Sequence, residues 1–129
     1  DALPIYPGAV EVFVESVNAQ QENNFEKIIL FSAVKAKEYE TMIRMLCETI
    51  DAKEYILTQI ENERGVSTEE LAGVFRKYTD KKIIEEENLE KAFCMALKEK
   101  GENDRVYCLG SLYLVGMLKE LIVGGKKHA

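Results

Sequence analysis

Residues 105–113 read RVYCLGSLY, an apolar run that passes through glycine and serine into a helical pattern. Three further apolar runs precede it, at residues 27–32, 54–60 and 82–86. Their length and their β-branched and aromatic content are typical of buried strands. The sequence therefore predicts four strands, the last of which ends at Gly110.

Helical periodicity fills the spaces between these runs. Apolar residues recur on one face over four segments, about 10–17, 37–50, 67–78 and 88–100, and a fifth helical segment at about 111–122 is apolar on most sides. Ser67 and Asn88 suit the N-caps of two of these helices, and Gly101 suits the end of one. Strands that alternate with helices predict a mainly parallel sheet covered on both faces, which is a three-layer α/β sandwich.

The composition is that of an ordinary globular domain. The chain has 129 residues, and 17 Lys and Arg oppose 23 Asp and Glu, for a net charge of −6. Because an acidic surface repels phosphate backbones and anionic lipid, we expect no nucleic acid and no membrane among the partners. Cys47, Cys94 and Cys108 have no C-x-x-C spacing and favour a reducing cytoplasm. The only histidine is His128, so no histidine-based metal site or Ser-His-Asp triad is predicted.

The best candidate site is the corner after the last strand, because ligands of open parallel sheets bind at the carboxyl ends of strands. Gly110 lets the backbone approach a ligand, and Ser111 opens a helix whose N-terminus attracts anions. Tyr113 follows, although tyrosines at such positions more often pack than bind. A plain turn with a serine cap requires the same two residues, and local geometry alone favours that structural interpretation.

The loops after the first two strands predict a cleft around this corner. Ser32 ends the first strand, and Lys35 and Lys37 follow it near a helix start, where cations oppose the helix dipole. Arg64 follows the second strand and could hold a carboxylate. The alternatives are solvated lysines and an ion pair of Arg64 within its own loop.

Two other patterns predict no chemistry. The acidic run at residues 85–87 does not predict a metal site, because alternate strand residues point apart. No P-loop and no dinucleotide-binding glycine pattern is present. The residues by themselves therefore indicate an anion-accepting sheet edge without a complete catalytic set.

The closing segment resembles a known family. Residues 104–116, DRVYCLGSLYLVG, are similar to the D-x-V-x-x-x-G-S-L-Y-L-V-G motif of folylpolyglutamate and dihydrofolate synthases. Residues 31–39 are similar to the family's F-G-x-x-x-D-K-D-Y segment, with Ala36 and Glu38 in place of two acidic positions of that pattern. Thr58 and Arg64 resemble its "T…R" loop, and the resemblance spans about residues 7–122.

This resemblance implies that residues 7–129 are the C-terminal, Rossmann-like domain of a Mur-ligase-type enzyme of folate and one-carbon metabolism. The parent enzyme joins glutamate to folate with ATP and magnesium. Gly110, Ser111 and Tyr113 would help bind glutamate or another anion, beside a cleft of Ser32, Lys35, Lys37 and Arg64. The expected partner is an N-terminal P-loop ATPase domain, so the fragment alone is expected to hold no cofactor or metal and to be inactive.

Residues 1–6 depart from the family pattern. The family carries D-G-A-H-N-P before the first helix, whereas residues 2–6 read ALPIY and Asp1 is out of register. We therefore expect residues 1–6 to be a non-native or truncated segment and the N-terminal strand of the sheet to be missing. The alternative to a ligase domain is a stand-alone flavodoxin-like or regulatory ligand-binding module without catalysis.

Overall fold

A five-stranded, all-parallel sheet forms the centre of the described protein. The computed structural model describes residues 2–4, 25–35, 38–60 and 63–110. The strands in chain order are β1 Ala2–Pro4, β2 Lys27–Phe31, β3 Glu54–Leu57, β4 Lys82–Glu85 and β5 Arg105–Gly110. They lie side by side in the order β1-β5-β2-β3-β4, and each neighbouring pair is parallel. The four predicted strands, β2 to β5, and their parallel arrangement are confirmed.

Three described helices connect the strands and cover both faces of the sheet. They are α1 Tyr39–Thr49, α2 Thr68–Tyr78 and α3 Leu89–Glu99. One buried cluster joins α1 and α2 to one face, whereas a second cluster joins α3 to the other. The three-layer α/β sandwich that the alternating pattern predicts is therefore confirmed.

β2 shows why a continuous apolar run becomes a strand here. All five of its residues are buried, because helices cover the sheet on both sides. Ile29 and Phe31 belong to the cluster with α1 and α2, and Ile28 and Leu30 belong to the cluster with α3. β4 differs, because it lies at the edge and its residues are exposed or half-buried.

The predicted helix caps are present. The Ser67 side chain accepts a hydrogen bond from the backbone N–H of Glu70 at 3.1 Å. The Asn88 side chain accepts one from the backbone N–H of Lys91 at 2.9 Å. Each bond satisfies one of the donors that a helix N-terminus leaves without an intrahelical partner, which fixes where α2 and α3 begin.

The prediction that the N-terminal strand is missing is wrong. β1 pairs with β5 in parallel, with Ala2 opposite Cys108 and Pro4 opposite Gly110. β1 forms an edge of the sheet, which is where a proline, with no N–H to donate, is tolerated. The interpretation of residues 1–6 as non-native or truncated stays a prediction. The helices predicted at residues 10–17 and 111–122 lie outside the described residues.

The described helices are all short. Each has 11 residues, whereas crossing a bilayer takes about 20. Within residues 25–35, 38–60 and 63–110, no helix is therefore long and apolar enough to cross a membrane.

Candidate ligand-binding edge

The carboxyl ends of the strands meet along one edge of the sheet. Phe31 at the end of β2 pairs with Leu109 of β5 on one side and with Leu57 of β3 on the other. Leu57 pairs in turn with Glu85 of β4. The residues that follow these strands are therefore neighbours, as the topology requires.

Ser32 lies at the middle of this edge. Its backbone N–H donates to the carbonyl oxygen of Leu109 at 3.2 Å, which places it beside Gly110. The residue is fully buried, and its hydroxyl has no hydrogen-bond partner among the described residues. A buried hydroxyl without a partner lowers the free energy of unfolding by about 1–3 kcal/mol. The Ser32 hydroxyl therefore lies just beneath this edge with a hydrogen bond still to make.

Thr58 occupies the equivalent position after β3. Its backbone N–H donates to the carbonyl oxygen of Phe31 at 2.9 Å. Its hydroxyl donates to the carbonyl oxygen of Glu87 at 3.2 Å. Since Thr58 is fully buried, this bond ties the end of β3 to the loop after β4 and gives Thr58 a structural role.

The loops after β2 and β3 form one unit, which brings together two of the predicted cleft residues. The backbone N–H of Lys35 donates to the carbonyl oxygen of Arg64 at 2.7 Å. Next to it, Val34 and Gly65 form an antiparallel bridge. Lys35 and Arg64 are both exposed. Two cationic residues from different loops therefore lie side by side at the carboxyl edge of the sheet.

Gly65 makes this pairing possible, although it is not among the residues predicted for the cleft. A Cβ atom on Gly65 would lie 2.5 Å from the carbonyl oxygen of Ile60. The chain therefore folds back on itself at a distance that no side chain allows. The available signal was the position of Gly65 directly after the predicted cleft residue Arg64.

The carboxylates of Glu85 and Glu86 engage separate partners. A carboxylate oxygen of Glu85 lies 3.8 Å from the Arg76 guanidinium. The Glu86 carboxylate accepts the backbone N–H of Asn88 at 3.0 Å. Across the part of the chain that the structure describes, no group of three or more His, Cys, Asp or Glu is arranged to hold a metal ion.

Solved structures of folate-linked ligases share this architecture. E. coli FolC in complex with DHPP and ADP superimposes with a TM-score of 0.84 and 18% identity, over 98% of this chain and 28% of that chain. Mycobacterium tuberculosis folylpolyglutamate synthase complexed with ADP superimposes with a TM-score of 0.78 and 17% identity, over 94% of this chain and 28% of that chain. The bifunctional folylpolyglutamate synthase/dihydrofolate synthase from Yersinia pestis, complexed with AMPPNP and Mn, superimposes with a TM-score of 0.72 and 20% identity. The match covers 95% of this chain and 27% of that chain.

The chain has the fold of a folylpolyglutamate synthase domain. The resemblance predicted from the closing motif is thus confirmed at the level of the fold. The chain spans just over a quarter of the length of these synthases. No protein-family model matches the sequence, and neither does any curated protein.

In this synthase-like fold, the predicted anion corner begins at Gly110. Gly110 ends β5 between Pro4 of β1 and the β2 end that carries Ser32. Ser111, Tyr113 and Lys37 lie outside the described residues. The structure therefore describes the part of the corner that β5 forms, which ends at Gly110. The roles of Ser111, Tyr113 and Lys37 stay predictions.

Cys108 is the cysteine nearest to this edge in the synthase-like fold. It lies two residues before Gly110 on β5 and is buried in the cluster with α3. Burial raises the pKa of the Cys108 thiol to about 11. Because the thiolate is the nucleophilic form, Cys108 stays protonated near neutral pH and acts as an apolar packing residue.

Proposed function

We propose that this chain is the C-terminal domain of an ATP-dependent folate–glutamate ligase and helps to bind glutamate and nucleotide. The supporting observation is the superposition of 94–98% of the chain on part of synthases solved with ADP or AMPPNP. A further structure of a bifunctional folylpolyglutamate synthase/dihydrofolate synthase has Mn, AMPPNP and L-glutamate bound. The remainder of the parent would then supply the P-loop ATPase domain, with folate and glutamate as substrates in the cytoplasm.

The carboxyl edge of the sheet would provide the domain's contribution to binding. Gly110 has no side chain and would let a ligand approach the backbone, and the helix predicted from Ser111 would offer N–H groups to a carboxylate or phosphate. Lys35 and Arg64 add positive charge on the joined loops in a chain of net charge −6. Such a site binds and orients an anionic group before the reaction.

The nucleotide would supply the activation step. In the parent, ATP with magnesium would convert a folate carboxylate to an acyl phosphate, which the amine of glutamate attacks. Residues of this chain would hold the incoming glutamate and part of the nucleotide against the partner domain. A single domain without a P-loop lacks the phosphate-binding half of this site.

The first test concerns the coding sequence and the isolated chain. We expect a P-loop domain in frame upstream of Asp1 and no ATP hydrolysis by the isolated 129-residue chain. Release of ADP would be measured with folate and glutamate present. A start codon directly before Asp1, or turnover by the isolated chain, would contradict the proposal and favour an independent module.

Ser111→Ala in the full-length ligase tests the corner itself. We expect kcat/KM for glutamate to fall roughly 10- to 150-fold, because one hydrogen bond to a charged group contributes about 1.5–3 kcal/mol. The measurement is steady-state kinetics with glutamate as the varied substrate.

Ser67→Ala is the matched control for this variant. Ser67 caps α2 and contacts the Glu70 backbone, so its removal is expected to lower the free energy of unfolding by about 1 kcal/mol. It should leave kcat/KM for glutamate unchanged. If Ser111→Ala also changes stability alone, then Ser111 is a helix cap and has no place in the glutamate site.

A further inference from the structure

Glu54 is a buried carboxyl group at the edge of the sheet opposite the candidate site. It is the first residue of β3, and it is 1% exposed. Neither of its carboxylate oxygens has a hydrogen-bond partner among the described residues. Since an ionised carboxylate without hydrogen bonds is costly to bury, this environment disfavours the charged form of Glu54.

One ammonium group lies between Glu54 and a second carboxylate. The Lys82 Nζ atom is 3.9 Å from Glu54 Oε2 and 3.5 Å from Glu99 Oε1. The Lys82 side chain is 59% exposed, so water weakens both interactions. Lys82 belongs to β4, the neighbour of β3, and Glu99 is the last residue of α3.

The other nearby cation is already engaged. The Lys53 Nζ atom lies 3.0 Å from Asp104 Oδ2 and donates to the carbonyl oxygen of Glu99 at 3.2 Å. Asp104 also accepts the backbone N–H of Gly101 at 2.7 Å. On its other side, β2 places the uncharged residue Ile28 beside Glu54.

The carboxyl groups around Glu54 outnumber the lysines that they contact, so one carboxyl group can keep its proton. The ion pairs around the start of β3 join Glu54, Glu99 and Asp104 to Lys53 and Lys82. Glu26 and Lys100, which have opposite charges, act electrostatically on Lys53 and Asp104 respectively. If all three carboxyl groups are ionised, the donor between Glu54 and Glu99 is the Lys82 ammonium, which at 3.9 Å from Glu54 is too distant for a hydrogen bond and leaves the Glu54 oxygens without partners. A proton on Glu54 supplies the missing donor.

We propose that Glu54 is protonated in the folded protein and forms a pH-sensitive clamp that holds the C-terminal turn of α3 against β3 through Glu99. In the clamped state the Glu54 carboxyl donates its proton to the Glu99 carboxylate, which Lys82 also contacts. When the proton passes to solvent, two carboxylates face one exposed ammonium. Their repulsion loosens the end of α3 and the turn at residues 100–104.

The electrostatic surroundings agree with this geometry. Burial raises the pKa of Glu54 above its ordinary value, and the charge of Glu99 raises it further, against smaller opposing effects of Lys82 and Lys53. Because the folded-state pKa is the higher one, the stabilisation is complete below the unfolded-state pKa. It is lost as the pH rises through the folded-state pKa.

Two measurements on the complete chain test the clamp. In a ¹³C NMR titration, the Glu54 carboxyl carbon should change at a higher pH than those of the exposed glutamates. Over the same range, the exchange protection of the Lys100 amide, which donates to the carbonyl oxygen of Ala96 at 3.0 Å, should fall several-fold. Glu99→Gln should lower the Glu54 midpoint by removing the neighbouring charge.

Two glutamine variants separate the clamp from a general effect of charge. Glu54→Gln keeps the shape without the titration, so the Lys100 amide should stay protected at all pH values tested. Glu90→Gln, on an exposed residue in the first turn of α3, should keep the pH dependence of wild type. If Glu54 titrates with the exposed glutamates, or if Lys100 protection does not change as Glu54 ionises, the clamp does not exist.

Discussion

Replacing Phe75 with alanine is expected to lower the free energy of unfolding by about 3–5 kcal/mol. Phe75 on α2 is fully buried, with its ring edge-on to Phe31 at 5.3 Å and tilted against Tyr55 at 4.7 Å. Through these contacts one side chain joins α2 to β2 and β3. Because the total free energy of unfolding of such domains is about 5–15 kcal/mol, the variant should lose a large share of its stability.

Urea denaturation followed by circular dichroism would measure this loss. Phe93→Ala is the matched control, because Phe93 lies on α3 and is only half-buried. Phe93→Ala should lower the free energy of unfolding by clearly less than Phe75→Ala does. Equal losses in the two variants would show that the packing between α2 and the sheet contributes no more than an ordinary partly buried contact.

Gly65→Ala is expected to lower the free energy of unfolding by about 1–3 kcal/mol, which is the usual penalty for forcing an added group into a filled space. The new Cβ would meet the Ile60 carbonyl oxygen at 2.5 Å, and a backbone oxygen cannot rotate away as a side chain can. The same change should disturb the bond from the Lys35 N–H to the Arg64 carbonyl oxygen. Urea denaturation and the exchange rate of the Lys35 amide would report the two effects.

Gly73→Ala is the control, and it is expected to raise the free energy of unfolding rather than lower it. Gly73 lies in the middle of α2, and a Cβ there meets nothing within 4 Å. Alanine should therefore stabilise the helix by about 0.5–1 kcal/mol. If Gly65→Ala is as well tolerated as Gly73→Ala, the loop after β3 can shift, and the close approach at Ile60 is not a constraint.

The sequence predicted the strands best where local composition and tertiary position agree. β5 has the predicted bounds, Arg105–Gly110. β3 ends at Leu57, three residues before the predicted end, because the apolar residue Ile60 is buried within a loop. An apolar run alone does not distinguish a buried strand from a buried loop. β1 was missed because three residues that include a proline carry no strand signal, and its partner is remote in the chain.

The candidate site was predictable in position and not in detail. Ser32, Lys35 and Arg64 follow strands, and topology alone places such residues at one edge. The Val34–Gly65 bridge depends on two loops meeting in space, which no local pattern encodes. Glu54 was not noticed because a glutamate ahead of an apolar run is ordinary. Its burial arises only once β4 and the end of α3 surround it.

The strand order also constrains how the sheet assembles. β2, β3 and β4 are consecutive in the chain and adjacent in space, so each pairing closes a short loop. β1 instead pairs with β5, with Ala2 opposite Cys108, and it has no other described neighbour. Since distant contacts carry the larger entropic cost of ordering the chain, we expect the sheet to grow outward from β2–β3–β4. On this basis we expect β1 to dock last and to detach first.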